Sequence, residues 1–130
     1  MATVDLATTD FESTLTDNDI VLVDWWASWC GPCRMFAPVY EKASEQHDDV
    51  VFAKVDTEAE RELSAAAQIS SIPTLMAFRE GILVFEQAGA LPAPALEQVI
   101  EAVRGLDMDH VRTQIAERQA SGTEKEEATR

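Results

Sequence analysis

Two cysteines, the only two in the chain, lie three positions apart in the motif Cys30-Gly31-Pro32-Cys33. Such a pair can form a disulfide across one turn when the first cysteine precedes a helix and the second lies in its first turn. The free N–H groups and the positive end of the dipole at a helix N-terminus stabilise a thiolate, which is the nucleophilic form of cysteine. The spacing therefore predicts thiol–disulfide chemistry at Cys30 and Cys33.

Zinc binding is the competing interpretation of the same pair. A structural zinc site needs four ligands, and the histidines available besides the two cysteines are His47 and His110. His47 is predicted at a helix end and His110 in the C-terminal segment, so we do not expect a shared site. We therefore expect no metal and no other cofactor, and the Cys30–Cys33 disulfide itself is the redox-active group.

The elements next to the cysteines predict how the pair is positioned. Ile20 to Val23 is a continuous apolar run, typical of a strand that is buried on both faces. Val50 to Val55 predicts a second strand. Between them, a helix ending near Gln46 is predicted by an apolar stripe at Phe36, Val39, Tyr40 and Ala43. Strand, helix and strand together predict a right-handed crossover with two parallel strands.

Two capping boxes predict helix starts at Thr9 with Glu12 and at Thr57 with Glu60. The chain thus reads as alternating strands and helices, an α/β domain with a central mixed sheet of four to five strands and helices on both faces. The remaining predicted elements are an edge strand at 3–6, helices at about 10–16 and 57–68, a hairpin of strands 75–78 and 82–85, and a helix with an inward stripe at Leu96, Val99, Ile100 and Val103.

The last part of the chain differs from the rest in composition. We predict a body at residues 1–105 and an extension at 106–130. In the extension, Asp107 is a candidate N-cap for a helix that ends near Gln119, and a disordered acidic and polar tail is expected from there. The helix either docks on the body or offers its apolar face to a partner or to a second copy.

Composition excludes several kinds of partner. The chain has 24 acidic and 10 basic residues and a net charge of −14, without a basic stripe to neutralise phosphates, so we expect no nucleic-acid partner. No apolar run approaches the roughly 18 residues of a membrane span, and the first eleven residues lack the features of a signal peptide. We therefore expect a cytoplasmic protein, in which a lone cysteine pair is more often catalytic or metal-binding than structural.

Four stretches of the sequence resemble bacterial-type members of the thioredoxin family. The run from Val21 to Met35, with Asp24 and the motif Trp29-Cys30-Gly31-Pro32-Cys33, is similar to the family's active-site segment. Three further stretches follow in the family's order and at about its spacing: Ala53-Lys54-Val55-Asp56, Ile72-Pro73-Thr74 and Ala88-Gly89-Ala90. The resemblance covers about residues 5–104. It implies the thioredoxin fold, here with an additional C-terminal helix.

The resemblance also implies a role for individual residues. Cys30 is the exposed attacking nucleophile and Cys33 the resolving thiol, while Asp24 is a buried carboxylate that moves the Cys33 proton. Burial raises the pKa of Asp24 toward the working range, and Lys54 beside it moderates that shift. Pro73 is a cis-proline near the sulfurs. The implied substrate-binding surface consists of Trp29, Gly31, Pro32, Ile72, Gly89 and Ala90.

The implied activity is the reduction of protein disulfides by an electron carrier that serves cell redox homeostasis and is recharged by a thioredoxin reductase. We expect a monomer. Two alternatives stay open: a binding or chaperone module whose redox activity is incidental, and a disulfide oxidase or isomerase. The sequence departs from the family's pattern at Arg34 and Ser70, which leaves partner preference open rather than the reaction. It also departs at Trp25, which is expected mainly to affect packing around Asp24.

Overall fold

The computed structural model describes the backbone of residues 3–128 and the side chains of residues 3–120. Within these residues the strands are β1 (Thr3–Asp5), β2 (Ile20–Trp26), β3 (Val50–Asp56), β4 (Thr74–Arg79) and β5 (Ile82–Ala88). The helices are α1 (Thr8–Asp17), α2 (Gly31–Gln46), α3 (Arg61–Ala66), α4 (Ala93–Arg104) and α5 (Met108–Ala128).

The described strands form one mixed sheet in the order β1-β3-β2-β4-β5. The central strand β2 is parallel to β3 and antiparallel to β4, and β1 and β5 form the two edges. Helices pack on both faces, and α5 follows the last helix of the body. The mixed α/β fold predicted from the sequence is therefore confirmed, with five strands and an additional C-terminal helix.

Both faces of β2 are covered by apolar side chains, which explains its uninterrupted apolar sequence. Successive side chains of a strand point to opposite faces. Ile20 and Leu22 lie in a core with residues of α2 and α4, whereas Val21 and Val23 lie in a second core against α1 and α3. Asp24 follows in the same alternation, so its side chain lies on the α2 side of the sheet.

The capping box predicted at the first helix is wrong. Helix α1 begins at Thr8, its N-cap residue is Ala7, and no side chain caps it. Thr9 and Glu12 therefore lie inside the helix. A backbone hydrogen bond from the Asp10 N–H to the Ala7 carbonyl, 3.0 Å long, closes the first turn instead.

The second capping box is also wrong, because tertiary contacts engage both of its residues. The Thr57 hydroxyl donates to the Trp26 carbonyl at 3.0 Å, which ties the end of β3 to the end of β2. A carboxylate oxygen of Glu60 accepts from the Thr8 N–H at 2.7 Å. Helix α3 consequently begins only at Arg61 and is shorter than predicted.

The first turns of α5 are anchored to the body. Asp107 acts as the predicted cap, since its carboxylate accepts a hydrogen bond from the His110 N–H at 3.2 Å. The side chain of Met108 is buried. Arg112 forms an ion pair with Glu80, in the turn between β4 and β5, at 3.2 Å. These contacts support a docked helix.

Helix α5 runs to Ala128, beyond the end near Gln119 that the sequence analysis predicts and into the tail expected to be disordered. Residues 124–128 are glutamate, lysine and alanine, which are strong helix formers, whereas the prediction rested on the polar composition alone. Residues 129 and 130 lie outside the described residues. None of the described helices, α5 included, is both long and apolar enough to span a membrane. The boundary at residue 105 stays a prediction.

Deleting residues 106–130 is expected to destabilise the protein while leaving disulfide reduction intact. The deletion removes the buried Met108 and the ion pair of Arg112 with Glu80. Loss of a buried methionine side chain lowers the free energy of unfolding by about 2–5 kcal/mol. Urea unfolding measures this difference, and deletion of residues 121–130 alone is the control that keeps both contacts. Equal stability of the long deletion and the full chain would contradict the docked helix.

Candidate active site

The cysteine pair lies where the central strand passes into α2. Cys30 is the N-cap residue of this helix, and its Sγ accepts a hydrogen bond from the Cys33 N–H at 3.2 Å. The two Cα atoms are 5.2 Å apart and the sulfurs form a disulfide. Pro32 lies in the first turn, where its fixed φ favours a helix and its missing N–H costs no hydrogen bond.

Cys30 is less accessible than the resemblance implies. It is 4% exposed and Cys33 is 3% exposed, and both pack with Ala27, Trp26 and Ile72. The expectation of an exposed Cys30 is therefore corrected for the disulfide form. Tertiary packing is the cause, because Ile72 comes from a loop that is distant in the sequence.

The loop before β4 brings its backbone to the nucleophile. The Ile72–Pro73 peptide bond is cis, as the resemblance implies. Cys30 Sγ lies 3.7 Å from the Ile72 carbonyl oxygen. In the disulfide form the sulfur carries no proton, so this contact becomes a possible hydrogen bond only when Cys30 is a thiol.

Asp24 is a buried carboxylate on the side of the sheet that faces α2. It is 1% exposed, and neither of its oxygens has a hydrogen-bond partner among the described protein atoms. Burial raises its pKa to about 7, and the positive charge of Lys54 partly opposes that rise. A carboxyl group with this pKa can both hold and release a proton near neutral pH.

Two neighbours show where the Asp24 carboxyl points. Lys54 is its partner in the β2–β3 register, and the Lys54 Nζ lies 4.9 Å from the centre of the Trp26 ring. Burial raises the pKa of the Tyr40 hydroxyl, and the Asp24 charge raises it further. Tyr40 and Cys33 are seven positions apart on α2, hence on one face of the helix. Asp24 thus lies under the buried face of α2.

Four of the six residues in the substrate-binding surface implied by the resemblance are exposed. Trp29 is 65% exposed, while Pro32, Gly89 and Ala90 are also exposed. The Gly89 N–H donates to the Pro73 carbonyl at 2.8 Å, which places the loop after β5 against the cis-proline. Gly31 and Ile72 are half-buried.

Glu58 is a residue of this site that the sequence analysis missed. One of its carboxylate oxygens accepts a hydrogen bond from the Trp29 indole N–H at 2.9 Å. The other forms an ion pair with Arg61, also at 2.9 Å. The sequence carried one signal for this contact. Glu58 follows β3, and the carboxyl ends of the parallel strands β2 and β3 lie side by side. This contact fixes the direction of an otherwise exposed ring.

The three residues that depart from the family's pattern, Trp25, Arg34 and Ser70, differ in how far they are buried. Trp25 is fully buried in the second core, where its ring centre is 5.6 Å from that of Phe11. Arg34 and Ser70 are exposed. The Arg34 guanidinium donates to the Ser28 carbonyl at 3.2 Å. Only the exposed pair can therefore influence partner choice directly.

The two histidines are engaged away from the cysteines. The His47 Nε2 lies 2.8 Å from a Glu97 carboxylate oxygen, and its Nδ1 is 3.1 Å from Arg104. His110 lies in the first turn of α5. Over the part of the chain that the structure describes, no group of three or more His, Cys, Asp and Glu side chains is arranged to hold a metal ion.

Comparison with known proteins agrees with this geometry. The family model described as Thioredoxin matches residues 2–102. A protein named "Putative thioredoxin 2" from Streptomyces coelicolor is 59% identical over 119 residues, which cover 92% of this chain and 89% of that protein. Thioredoxin C-3 from Corynebacterium nephridii is 41% identical over 75% of this chain and 68% of its own.

Solved structures show the same similarity. A mutant thioredoxin from Halobacterium salinarum superposes with a TM-score of 0.75 at 36% identity, covering 81% of this chain and 93% of that one. Mitochondrial thioredoxin 3 from Saccharomyces cerevisiae, in its oxidised form, gives a TM-score of 0.71 at 30% identity over 76% and 93% of the two chains. With its Cys30–Cys33 disulfide, the chain belongs to the thioredoxin family of thiol–disulfide oxidoreductases.

Proposed function

We propose that this protein reduces the disulfides of other proteins, with Cys30 as the attacking thiol and Cys33 as the resolving thiol. The observation that carries this assignment is the position of Cys30 at the N-cap of α2, where its sulfur accepts the Cys33 N–H. The same N–H and the helix dipole stabilise a negative charge on Cys30, whereas Cys33 lies inside the first turn.

The reaction begins with the reduced protein. The Cys30 thiolate attacks one sulfur of a substrate disulfide, forms a mixed disulfide and releases the other substrate sulfur as a thiolate. The Cys33 thiolate then attacks Cys30 Sγ, forms the Cys30–Cys33 disulfide and releases the second substrate sulfur. Two electrons pass from the pair to the substrate, and two protons end on its thiols.

Asp24 is proposed to handle the proton of Cys33. Cys33 is buried and must lose its proton before it can attack Cys30. Asp24 lies under the same face of α2, and burial raises its pKa to about 7. As a carboxylate it accepts the Cys33 proton, and positioned acids and bases of this kind contribute about 10²–10⁴-fold to a rate. Lys54 is proposed to keep Asp24 partly ionised.

The substrate segment is proposed to lie along the loop of Ile72 and Pro73. The Ile72 backbone is close to Cys30 Sγ, at 3.7 Å from its carbonyl oxygen, and can pair with an extended segment. Substrate-binding contacts are assigned to the six residues Trp29, Gly31, Pro32, Ile72, Gly89 and Ala90. Because this surface is largely apolar, it suits many protein substrates.

The roles proposed for the two cysteines also suggest an electron donor for this protein and its location in the cell. Each turnover leaves the protein oxidised, so a thioredoxin reductase is the proposed electron donor and the protein is a carrier of electrons in cell redox homeostasis. A cytoplasmic location is proposed because the cytoplasm keeps thiols reduced. The protein is proposed to act as a monomer. Residues 1–105 carry the activity, and the extension stabilises them.

The equilibrium potential of the Cys30–Cys33 couple tests the direction of the reaction. For a reductant we expect a potential more negative than the cytosolic glutathione poise of about −220 to −260 mV. The measurement is equilibration in a series of glutathione buffers, followed by acid quenching and separation of the two forms. A potential tens of millivolts more positive than the poise would contradict the proposal and favour an oxidase or isomerase.

A variant with both cysteines replaced by serine addresses the remaining alternative. A binding or chaperone module keeps its effect on clients without the sulfurs, whereas a reductase loses it. The comparison is aggregation of a client protein with the parent chain and with the double variant. Equal protection by the two would favour the binding module.

A further inference from the structure

Large exposed apolar side chains are concentrated at the active site. Among the residues whose side chains are described, four large apolar residues are strongly exposed, namely Val4, Trp29, Met35 and Leu83. Two of these lie within five positions of the disulfide. The Glu58 contact fixes Trp29, but the proposed reaction gives no role to Met35, which is 74% exposed and thus the most exposed of the four.

The position of Met35 on α2 connects it to the substrate surface. Met35 follows Gly31 by four positions and Pro32 by three, so the three residues share one face of the helix. Side chains in a helix lean toward its N-terminus and cover the preceding turn. The Met35 side chain therefore leans toward Gly31 and Pro32.

This face of the first turn is open. Pro32 is exposed, and, apart from the chain neighbours of Gly31 and the backbone of its own helix, no atom lies within 4 Å of the place that a Cβ on Gly31 would occupy. The neighbouring cation, Arg34, donates to the Ser28 carbonyl. Gly31, Pro32 and Met35 thus share an open face of α2, which we call the α2 ridge, beginning next to Cys30.

We infer that Met35 is a specificity-determining residue, which binds an apolar side chain on the surface of protein substrates next to their disulfide. This inference rests on the proposed function. An exposed apolar patch indicates a binding surface, and this one begins at the residue that follows Cys30. Methionine is flexible and polarisable, so one side chain adapts to different apolar partners. A small disulfide has no surface that reaches Met35 and is indifferent to it.

Met35→Glu tests the inference, because it places a charge on the α2 ridge without altering the cysteines. The chemically reduced protein is mixed with insulin as the protein probe, and the thiols formed are counted by mass spectrometry after acid quenching. The small probe is 5,5′-dithiobis(2-nitrobenzoate), followed by absorbance. We expect the rate constant with insulin to fall about 5- to 30-fold, as for loss of one important interface residue, and the rate with the small probe to stay unchanged.

Leu83→Glu is the matched control. It adds the same charge at an exposed apolar position, and the strand register pairs Leu83 with Phe78 and Phe78 with Val21, at the end of the sheet remote from the cysteines. Its rates with both probes should equal those of the parent. Met35→Leu should also retain the parent rate with insulin, and Met35→Ala should lower it. Thermal unfolding checks that each variant is folded.

The other outcomes overturn the inference. An unchanged rate of Met35→Glu with insulin shows that the ridge is not used. An equal loss with both probes shows an effect on the cysteines instead, and an equal loss in Leu83→Glu shows general charge repulsion. If the parent itself reduces the small probe but not insulin, the proposed function fails, and the inference fails with it.

Discussion

Replacing Cys33 with serine is expected to make the protein accumulate mixed disulfides with its substrates, whereas replacing Cys30 with serine abolishes both reduction and trapping. Cys30 forms the first bond to the substrate, because its sulfur is the one that the helix N-terminus stabilises. Without Cys33 the mixed disulfide has no internal thiol to break it. Mass spectrometry of the reduced variants incubated with a disulfide-bonded protein detects the covalent adduct.

The Cys30→Ser variant should keep its fold, which makes the comparison fair. Serine is a preferred N-cap residue, and its hydroxyl can accept the Cys33 N–H in place of the sulfur. Thermal unfolding of both reduced variants against the reduced parent provides the control. Trapping of similar amounts of substrate by the two variants would reverse or remove the assigned roles.

Replacing Asp24 with asparagine is expected to stabilise the protein at neutral and alkaline pH relative to the parent. The Asp24 carboxyl is buried without a hydrogen-bond partner among the described atoms, and burial raises its pKa from 3.8 to about 7. In the unfolded chain the pKa returns to its ordinary value. Ionisation of Asp24 is therefore easier in the unfolded state, and the parent loses stability by ionising.

The pH window of this effect follows from the two pKa values. Well below pH 3.8 the carboxyl is protonated in both states and its ionisation does not affect stability. Between pH 3.8 and about 7 the unfolded state binds fewer protons than the folded state, so stability falls as the pH rises, and above pH 7 the loss is constant. A shift of this size corresponds to about 4 kcal/mol.

Urea unfolding of the oxidised parent and of Asp24→Asn, from pH 4 to pH 9, measures this difference. The advantage of the variant should grow by about 4 kcal/mol from the acidic to the alkaline end. Asp49→Asn is the control, since its hydrogen bonds with Arg104 lower the pKa of Asp49, and its difference from the parent should therefore stay constant over neutral and alkaline pH. A constant difference between Asp24→Asn and the parent would show that Asp24 titrates normally.

The same Asp24 variant tests the proposed proton transfer. Asparagine cannot accept the Cys33 proton, so resolution of the mixed disulfide should slow by about 10²-fold or more. Attack by Cys30 should continue at the parent rate. Rapid quenching of a single turnover separates the two steps, and resolution at the parent rate would remove Asp24 from the mechanism.

Local patterns predicted the centre of the fold well. Three correct predictions each concerned a single strand or helix, where sequence spacing determines which side chains share a face. They rested on the apolar run of Ile20 to Val23, the motif from Cys30 to Cys33 and the apolar stripe of α2. The parallel pairing of β2 and β3 follows from the crossover rule.

Local patterns failed where distant residues compete for the same groups. The second capping box was wrong because Thr57 bonds to Trp26 and Glu60 to Thr8. Glu58 was missed because its contact with Trp29 joins residues 29 positions apart. Such contacts depend on which side chains meet where two strand ends are adjacent, and the spacing within one element does not encode that.

Thiol–disulfide chemistry at Cys30 and Cys33 could be inferred from the sequence, because both residues and their helix N-terminus lie in one short segment. How far each group is shielded from water depends instead on the folded structure. The Ile72 loop covers Cys30, and the packing of α2 on the sheet buries Asp24. Solvent exclusion sets the pKa of Asp24 and the access to the sulfur, and it results from side chains that come together only when the chain folds.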